Sequence, residues 1–185
     1  MGDLGPVPWP PAPIRTPHLV LRASEPADRA LVIDLYSSPD VHAFLGGPRP
    51  RDELEREVPP VPGQRAGYFV VDLDAAAIGT VSMTRRDPER RGHLPGSVAE
   101  VELSYLFLPE TWGRGYATEA CSAALGWLAD VLPGEPVVLC TQTANESSMR
   151  LAERLGFSEV DRFEEFGAEQ WFGVRHPDPV GRLRP

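Results

Sequence analysis

Between residues 101 and 131 the apolar residues change their period, and the change falls across two glycines. In VELSYLFLPETWGRGYATEACSAALGWLADV, Val101, Leu103, Tyr105 and Phe107 recur at every second position, and Glu100, Glu102 and Ser104 alternate with them on the other face. Ala117, Ala120, Cys121, Ala124, Leu125 and Leu128 recur instead at every third or fourth position. The first spacing fills one face of a strand and the second one stripe of a helix. Leu106 and Leu108 break the alternation, as a buried strand end or a β-bulge would. The β-branched and aliphatic run PVVLCTQT at 136–143 then supplies a second strand. A strand, a helix and a strand in this order make a right-handed β-α-β crossover, so the two strands flanking the helix lie parallel.

The rest of the chain adds elements around that unit. HLVLRA reads as a strand, SEPADRALVIDLYSS as a helix with Ser24 as N-cap, and residues 39–64 as an adjustable wall cut into short helical pieces by proline and glycine. AGYFVVDLDAAAIGTVSMTRR reads as a hairpin, and residues 85–97 as an exposed loop. NESSMRLAERLGF is a short helix stopped at Gly156, and the closing strands turn around Gly167. The fold class is therefore α+β: a mixed, mostly antiparallel twisted sheet of about seven strands with helices on its faces. One domain is expected over residues 18–176, between a proline-rich tail at 1–17, with Trp9 tacked onto the surface, and a short tail at 177–185.

Charge and composition exclude several classes. With 27 acidic against 18 basic residues the formal charge is −9, so nucleic acid is not expected as the main partner, and the balance suits a cationic acceptor. No stretch approaches the ~20 apolar residues that cross a bilayer, and the N-terminus lacks a basic and then apolar leader, so a cytoplasmic protein with no membrane partner is expected. Cys121 and Cys140 sit in apolar runs without CxxC spacing, and His18, His42, His93 and His176 are scattered, so neither a metal site nor a triad is expected.

The glycines pose the functional question. A helix starting near Arg114 leaves its first amides without partners and concentrates positive dipole there. Gly113 and Gly115 let a bulky phosphate approach the backbone, Arg114 can add a charged contact, and Thr118 can add a hydroxyl one turn in. The nucleotide pattern GxxxxGK[ST] is missing, and Thr118 stands where GxGxxG needs its third glycine.

VELSYLFLPETWGRGYATEA followed by NESSMRLAERLGF resembles the GNAT superfamily of acetyl-CoA-dependent N-acetyltransferases, in particular its RimJ/RimL branch of ribosomal-protein N-terminal acetyltransferases. The family's Q/R-x-x-G-x-G/A loop falls on Trp112, Gly113, Arg114, Gly115, Tyr116 and Ala117, with Trp112 in place of the usual Gln or Arg. The resemblance implies a splay between the fourth and fifth strands of a GNAT fold. It also implies acetyl-CoA as co-substrate without a metal, pyrophosphate on the amides from Gly113 to Thr118, and pantetheine along Phe107 and Leu108. Asn145 and Ser148 match positions that touch the cofactor near its thiol, although Asn145 serves equally as a helix N-cap.

By the same resemblance Glu102 is the candidate base for the amine, with Glu100 second, and amides near Leu106 to Leu108 are candidates to hold the thioester oxygen. Ala152 occupies the position where many members keep a tyrosine acid, which leaves Ser148 or water to assist the thiolate. The acceptor expected is a primary amine, on a small molecule or a protein N-terminus, with Phe163, Phe166, Trp171 and Phe172 as slot or core residues. A CoA-binding sensor without turnover is the alternative. An exposed last strand also allows a homodimer.

Overall fold

The computed structural model describes residues 2–97 and 99–177. In chain order the elements are β1 (Ile14–Arg15), β2 (Leu19–Arg22), α1 (Arg29–Ser37), α2 (Arg51–Glu57), β3 (Tyr68–Leu73), β4 (Ala76–Arg85), β5 (Val101–Phe107), α3 (Tyr116–Val131), β6 (Val137–Gln142), α4 (Glu146–Arg154), β7 (Ser158–Glu165) and β8 (Ala168–Arg175). Among the described residues one eight-stranded sheet runs β1-β2-β3-β4-β5-β6-β8-β7. Only β5 and β6 run parallel; every other neighbouring pair is antiparallel. The β5-α3-β6 crossover is therefore the unit that the change of period demands.

The strand alternation divides the sheet into two faces. Val101, Leu103 and Phe107 of β5 join Phe69, Val71, Val81 and Met83 in a core closed by α3 and α4 through Ala120, Cys121, Leu125, Leu151 and Ala152. On the opposite face Tyr68 and Val70 pack against Leu31 and Leu35 of α1, and Leu106 and Leu108 join them. That placement explains the broken alternation at the end of β5. The β4–β5 register is regular from Gly79↔Phe107 to Arg85↔Val101, so no bulge is present there; Leu106 is apolar because it faces α1.

Three expectations need correction. Residues 2–15 are not a free tail. Leu4 is buried, Gly2 exchanges two backbone hydrogen bonds with Arg85, and β1 pairs with β2. Trp9 stands edge-on to Phe69 at 5.0 Å and to Trp127 at 5.6 Å, joining sheet to α3. Proline removes donors from this segment, but a large aromatic and a few backbone bonds suffice to seat it. Secondly, α1 is led in by a 3-10 turn at Pro26–Asp28 capped by Glu25 and Asp28, not by Ser24. Thirdly, the loop after β4 is not wholly exposed, since Arg86 is among the most buried side chains of the protein. The short tail begins at the edge of the described region, and residues 178–185 lie outside it.

Candidate active site

β5 ends at Phe107, and Pro109–Thr111 form one 3-10 turn before α3. The Trp112 indole N–H donates to the Phe107 carbonyl at 2.8 Å, and Thr111 Oγ1 donates to the Leu108 carbonyl at 2.7 Å, which ties the loop back to the strand it leaves. Gly113 and Gly115 have φ of +73° and +83°, in the left-handed region that a Cβ disfavours. A Cβ built on either meets nothing within 4 Å, so both glycines border open space. Gly115 is the N-cap of α3 and offers no side chain to the helix's first amides. The result is an outward-facing set of N–H groups at the positive end of a 16-residue helix. Arg114 is exposed beside them, and Tyr116, Ala117 and Thr118 form the half-buried first turn.

The second element is a gap. β5 and β6 pair only at Val101↔Val137 and Glu102↔Val138. From Leu103 onward β5 pairs with β4 alone, while β6 continues on β8 as far as Gln142. Amides along an antiparallel strand point alternately to either side. The Leu108 amide donates to the Ile78 carbonyl at 3.0 Å, so Leu108 and Leu106 spend their amides on β4 and Phe107 turns its own toward the gap. The expected trio of oxygen-holding amides at 106–108 thus reduces to Phe107.

α4 closes the gap from the far side. Asn145 is the N-cap, its Oδ1 accepting from the Ser148 amide at 3.1 Å. The buried Ser148 hydroxyl lies 2.5 Å from the Tyr105 hydroxyl, between α4 and the unpaired part of β5. Burial pushes the Tyr105 phenol up to about 12, so it stays protonated at neutral pH. Ala152, one turn on from Ser148, is fully buried in the core.

The opposite face of β5 is built from charge pairs. Glu102 is not a solvated strand-face carboxylate. It is buried, and its Oε1 accepts from Arg86 at 2.5 Å. The Arg86 guanidinium also donates to the Arg91 and Gly92 carbonyls and lies over the Phe172 ring, 5.2 Å from its centroid. Glu100, also buried, meets His93 Nδ1 at 2.8 Å and the Leu94 amide. Burial would raise the Glu100 carboxyl, but His93 and the backbone donors outweigh it and hold it below the usual carboxylate range. His42 is buried beside Tyr36, and that burial lowers its pKa. Among the described residues no group of three or more His, Cys, Asp or Glu side chains could hold a metal ion.

A family model for the acetyltransferase (GNAT) domain matches residues 18–158, well over half of the chain. The chain belongs to the GNAT acetyltransferase family. It is 25% identical over 152 residues to the uncharacterized Bacillus subtilis (strain 168) protein YkkB, covering 76% of this chain and 82% of that one. A GNAT-family acetyltransferase from Bacillus anthracis superposes with a TM-score of 0.70 at 20% identity, covering 89% and 98% of the two chains. Spermidine N-acetyltransferase from Vibrio cholerae, solved with CoA and spermine, gives 0.68 at 21% identity, covering 88% and 97%. Such likeness carries the fold: an α+β GNAT sheet with α3 and α4 on one face.

Within this GNAT fold the residues singled out from sequence divide into two groups. Gly113, Arg114, Gly115, Tyr116, Ala117 and Thr118 shape one open cradle, Phe107 and Leu108 lead into it through the 3-10 turn, and Asn145 and Ser148 lie across the gap. Glu102 stands at the last β5–β6 pair, on the face away from α3, bound to Arg86. Phe172 is buried in the core with Phe163 half-buried against it, and Trp171 is buried on the α3 face with its indole N–H on Glu159. Phe166 alone of the four is exposed, at the β7–β8 turn. Sequence reasoning missed Arg86 and the Tyr105 hydroxyl. The alternation filed Tyr105 with the apolar row, although a phenol packed against a core usually finds a hydrogen-bond partner.

Proposed function

We propose that this protein transfers acetyl from acetyl-CoA to a primary amine, in the manner of the RimJ/RimL branch of its family. One observation carries the reading: β5 and β6 separate directly after Glu102↔Val138, on the strand that leads into an open, glycine-lined helix N-terminus. The cradle fits a diphosphate because its donors are main-chain amides at a dipole's positive end with room for a bulky anion. Acetyl-CoA, held there with its arm along Phe107 and Leu108, supplies an activated thioester carbonyl. The amide of Phe107 faces the gap and can stabilise the oxygen as charge develops on it. Asn145 and Ser148 border the thiol end, where the Ser148 hydroxyl donates to the departing sulfur. A thiol with pKa near ~8.5 needs only that much help.

Glu102 takes the amine's proton, directly or through water. Arg86 donates to the Oε1 of this carboxylate and holds it in place on the strand. The acceptor class is a small amine or a protein N-terminus, met in the cytoplasm, and the exposed edge strand β7 leaves a homodimer open to it.

The experiment mixes the protein with acetyl-CoA and a panel of peptides, polyamines and aminoglycosides while trapping free thiol. Acceptor-dependent thiol release by at least one class is expected. A second reading, a CoA-binding module without turnover, is favoured only by Ala152, which leaves α4 without the family's tyrosine acid. It predicts thermal stabilisation by CoA with no thiol release from any acceptor.

A further inference from the structure

We propose that Tyr105 is a positioning residue for acetyl transfer: its phenolic O–H donates to Ser148 Oγ, so that the serine's own hydrogen is the one presented to the departing sulfur. The inference rests on the activity proposed above.

Two hydroxyls 2.5 Å apart share one hydrogen between them, and the direction decides which of them can donate to a third atom. A phenol is the stronger donor and an aliphatic hydroxyl the better acceptor, so Tyr105 gives and Ser148 receives. The Ser148 hydrogen is then left to point elsewhere. Its surroundings are fixed on every side. The backbone amide of Ser148 is held by Asn145, Tyr105 is held on β5 opposite Val81, and Ser148 is buried while Tyr105 is half-buried against the core.

The location matches that use. Tyr105 lies three residues beyond Glu102, the last β5 residue paired with β6, and its hydroxyl reaches α4 across the opening between the strands. Ala152, the next residue on the same side of α4, brings no hydroxyl of its own. The phenol comes instead from the strand, and acts through the serine. During transfer the amine nitrogen bonds to the acetyl carbon and the carbon–sulfur bond breaks. The electron pair stays on sulfur, which accepts the Ser148 O–H, and the nitrogen's surplus proton leaves to Glu102 or water. Sulfur is protonated from solvent as CoA departs, and Tyr105 keeps its proton throughout.

Three variants test this: Tyr105→Phe, which keeps the ring, Ser148→Ala, and the two combined. Thiol release is followed under saturating amine across a range of acetyl-CoA. Tyr105→Phe is expected to lower kcat by about 10-fold, the worth of one hydrogen bond, with the KM for acetyl-CoA and the stabilisation by CoA unchanged. In the Ser148→Ala background the same substitution should have no further effect, because its only route has been removed. A kcat equal to wild type for Tyr105→Phe, or losses that multiply in the double variant, would overturn the inference while the activity stands. Loss expressed in KM or in melting temperature would overturn it too, marking the phenol as structural. Wild-type protein that releases no thiol with any amine would overturn the proposed activity and this inference together.

Discussion

Where β5 runs out, at Phe107, the site is made of main chain; where it begins, at Glu100 and Glu102, it is made of paired side chains. The cradle owes its shape to two positive dihedrals and a helix without a side-chain cap, and its side chains stand exposed or half-buried. The other end draws Arg86 and His93 from the loop after β4 onto two carboxylates that the strand would otherwise bury alone. Main-chain sites are indifferent to most substitutions and intolerant of a Cβ in the wrong place. Side-chain pairs fail when one member is taken away. The two ends should therefore break in different ways.

The largest effect is expected at Arg86. Replacing it with Met leaves the Glu102 carboxylate buried without its cation, a change that costs ~3–5 kcal/mol in comparable settings. Urea unfolding should show that loss, and Arg86→Met combined with Glu102→Leu should recover most of it, since an apolar pair of similar volume is often neutral. If the single variant is as stable as wild type, the pair contributes no structural constraint and the contrast between the two ends disappears.

Next comes Glu102→Gln. The amide keeps an oxygen for Arg86 but removes its counter-charge, so part of the stability is lost as well, while kcat of the folded protein falls by roughly 10²-fold, a common worth for a general base. A folded variant with undiminished kcat would confine Glu102 to a structural role. At the main-chain end, Gly115→Val forces a β-branched residue to φ of +83°. Wild type at a hundredfold excess of CoA over Kd should gain about 2.7 kcal/mol, read as a rise in melting temperature, and the variant should gain none. A rise that survives the substitution would place the diphosphate elsewhere.

The same contrast explains what the sequence discloses. Gly113 and Gly115, the change of period and the β5-α3-β6 order all lie within about forty consecutive residues, and each is a local rule written in local residues. The partners of Glu102 and Glu100 are set by how the loop after β4 folds back, and the partner of Tyr105 lies 43 positions away on α4. No periodicity reports such pairs. Trp9 is the same case: its neighbours Phe69 and Trp127 become visible only once sheet and α3 are packed. Arginines read as solvated because most are, and Arg86 departs from that habit because two carbonyls, a carboxylate and an aromatic ring receive it together.

Asn145 sits between the two modes of construction, and the smallest effect is expected there. Its Oδ1 is committed to the Ser148 amide, so only its side-chain N–H groups are left for a ligand. Asn145→Ala should cost ~1 kcal/mol through the lost cap. Asn145→Asp keeps the capping oxygen, adds a charge that the helix N-terminus tolerates, and has no N–H to donate. Its melting temperature without ligand should therefore match wild type, while its affinity for CoA drops several-fold in a calorimetric titration. Equal affinity in the aspartate variant would confine Asn145 to capping α4, and would leave the thiol end of the site to Ser148 and the phenol behind it.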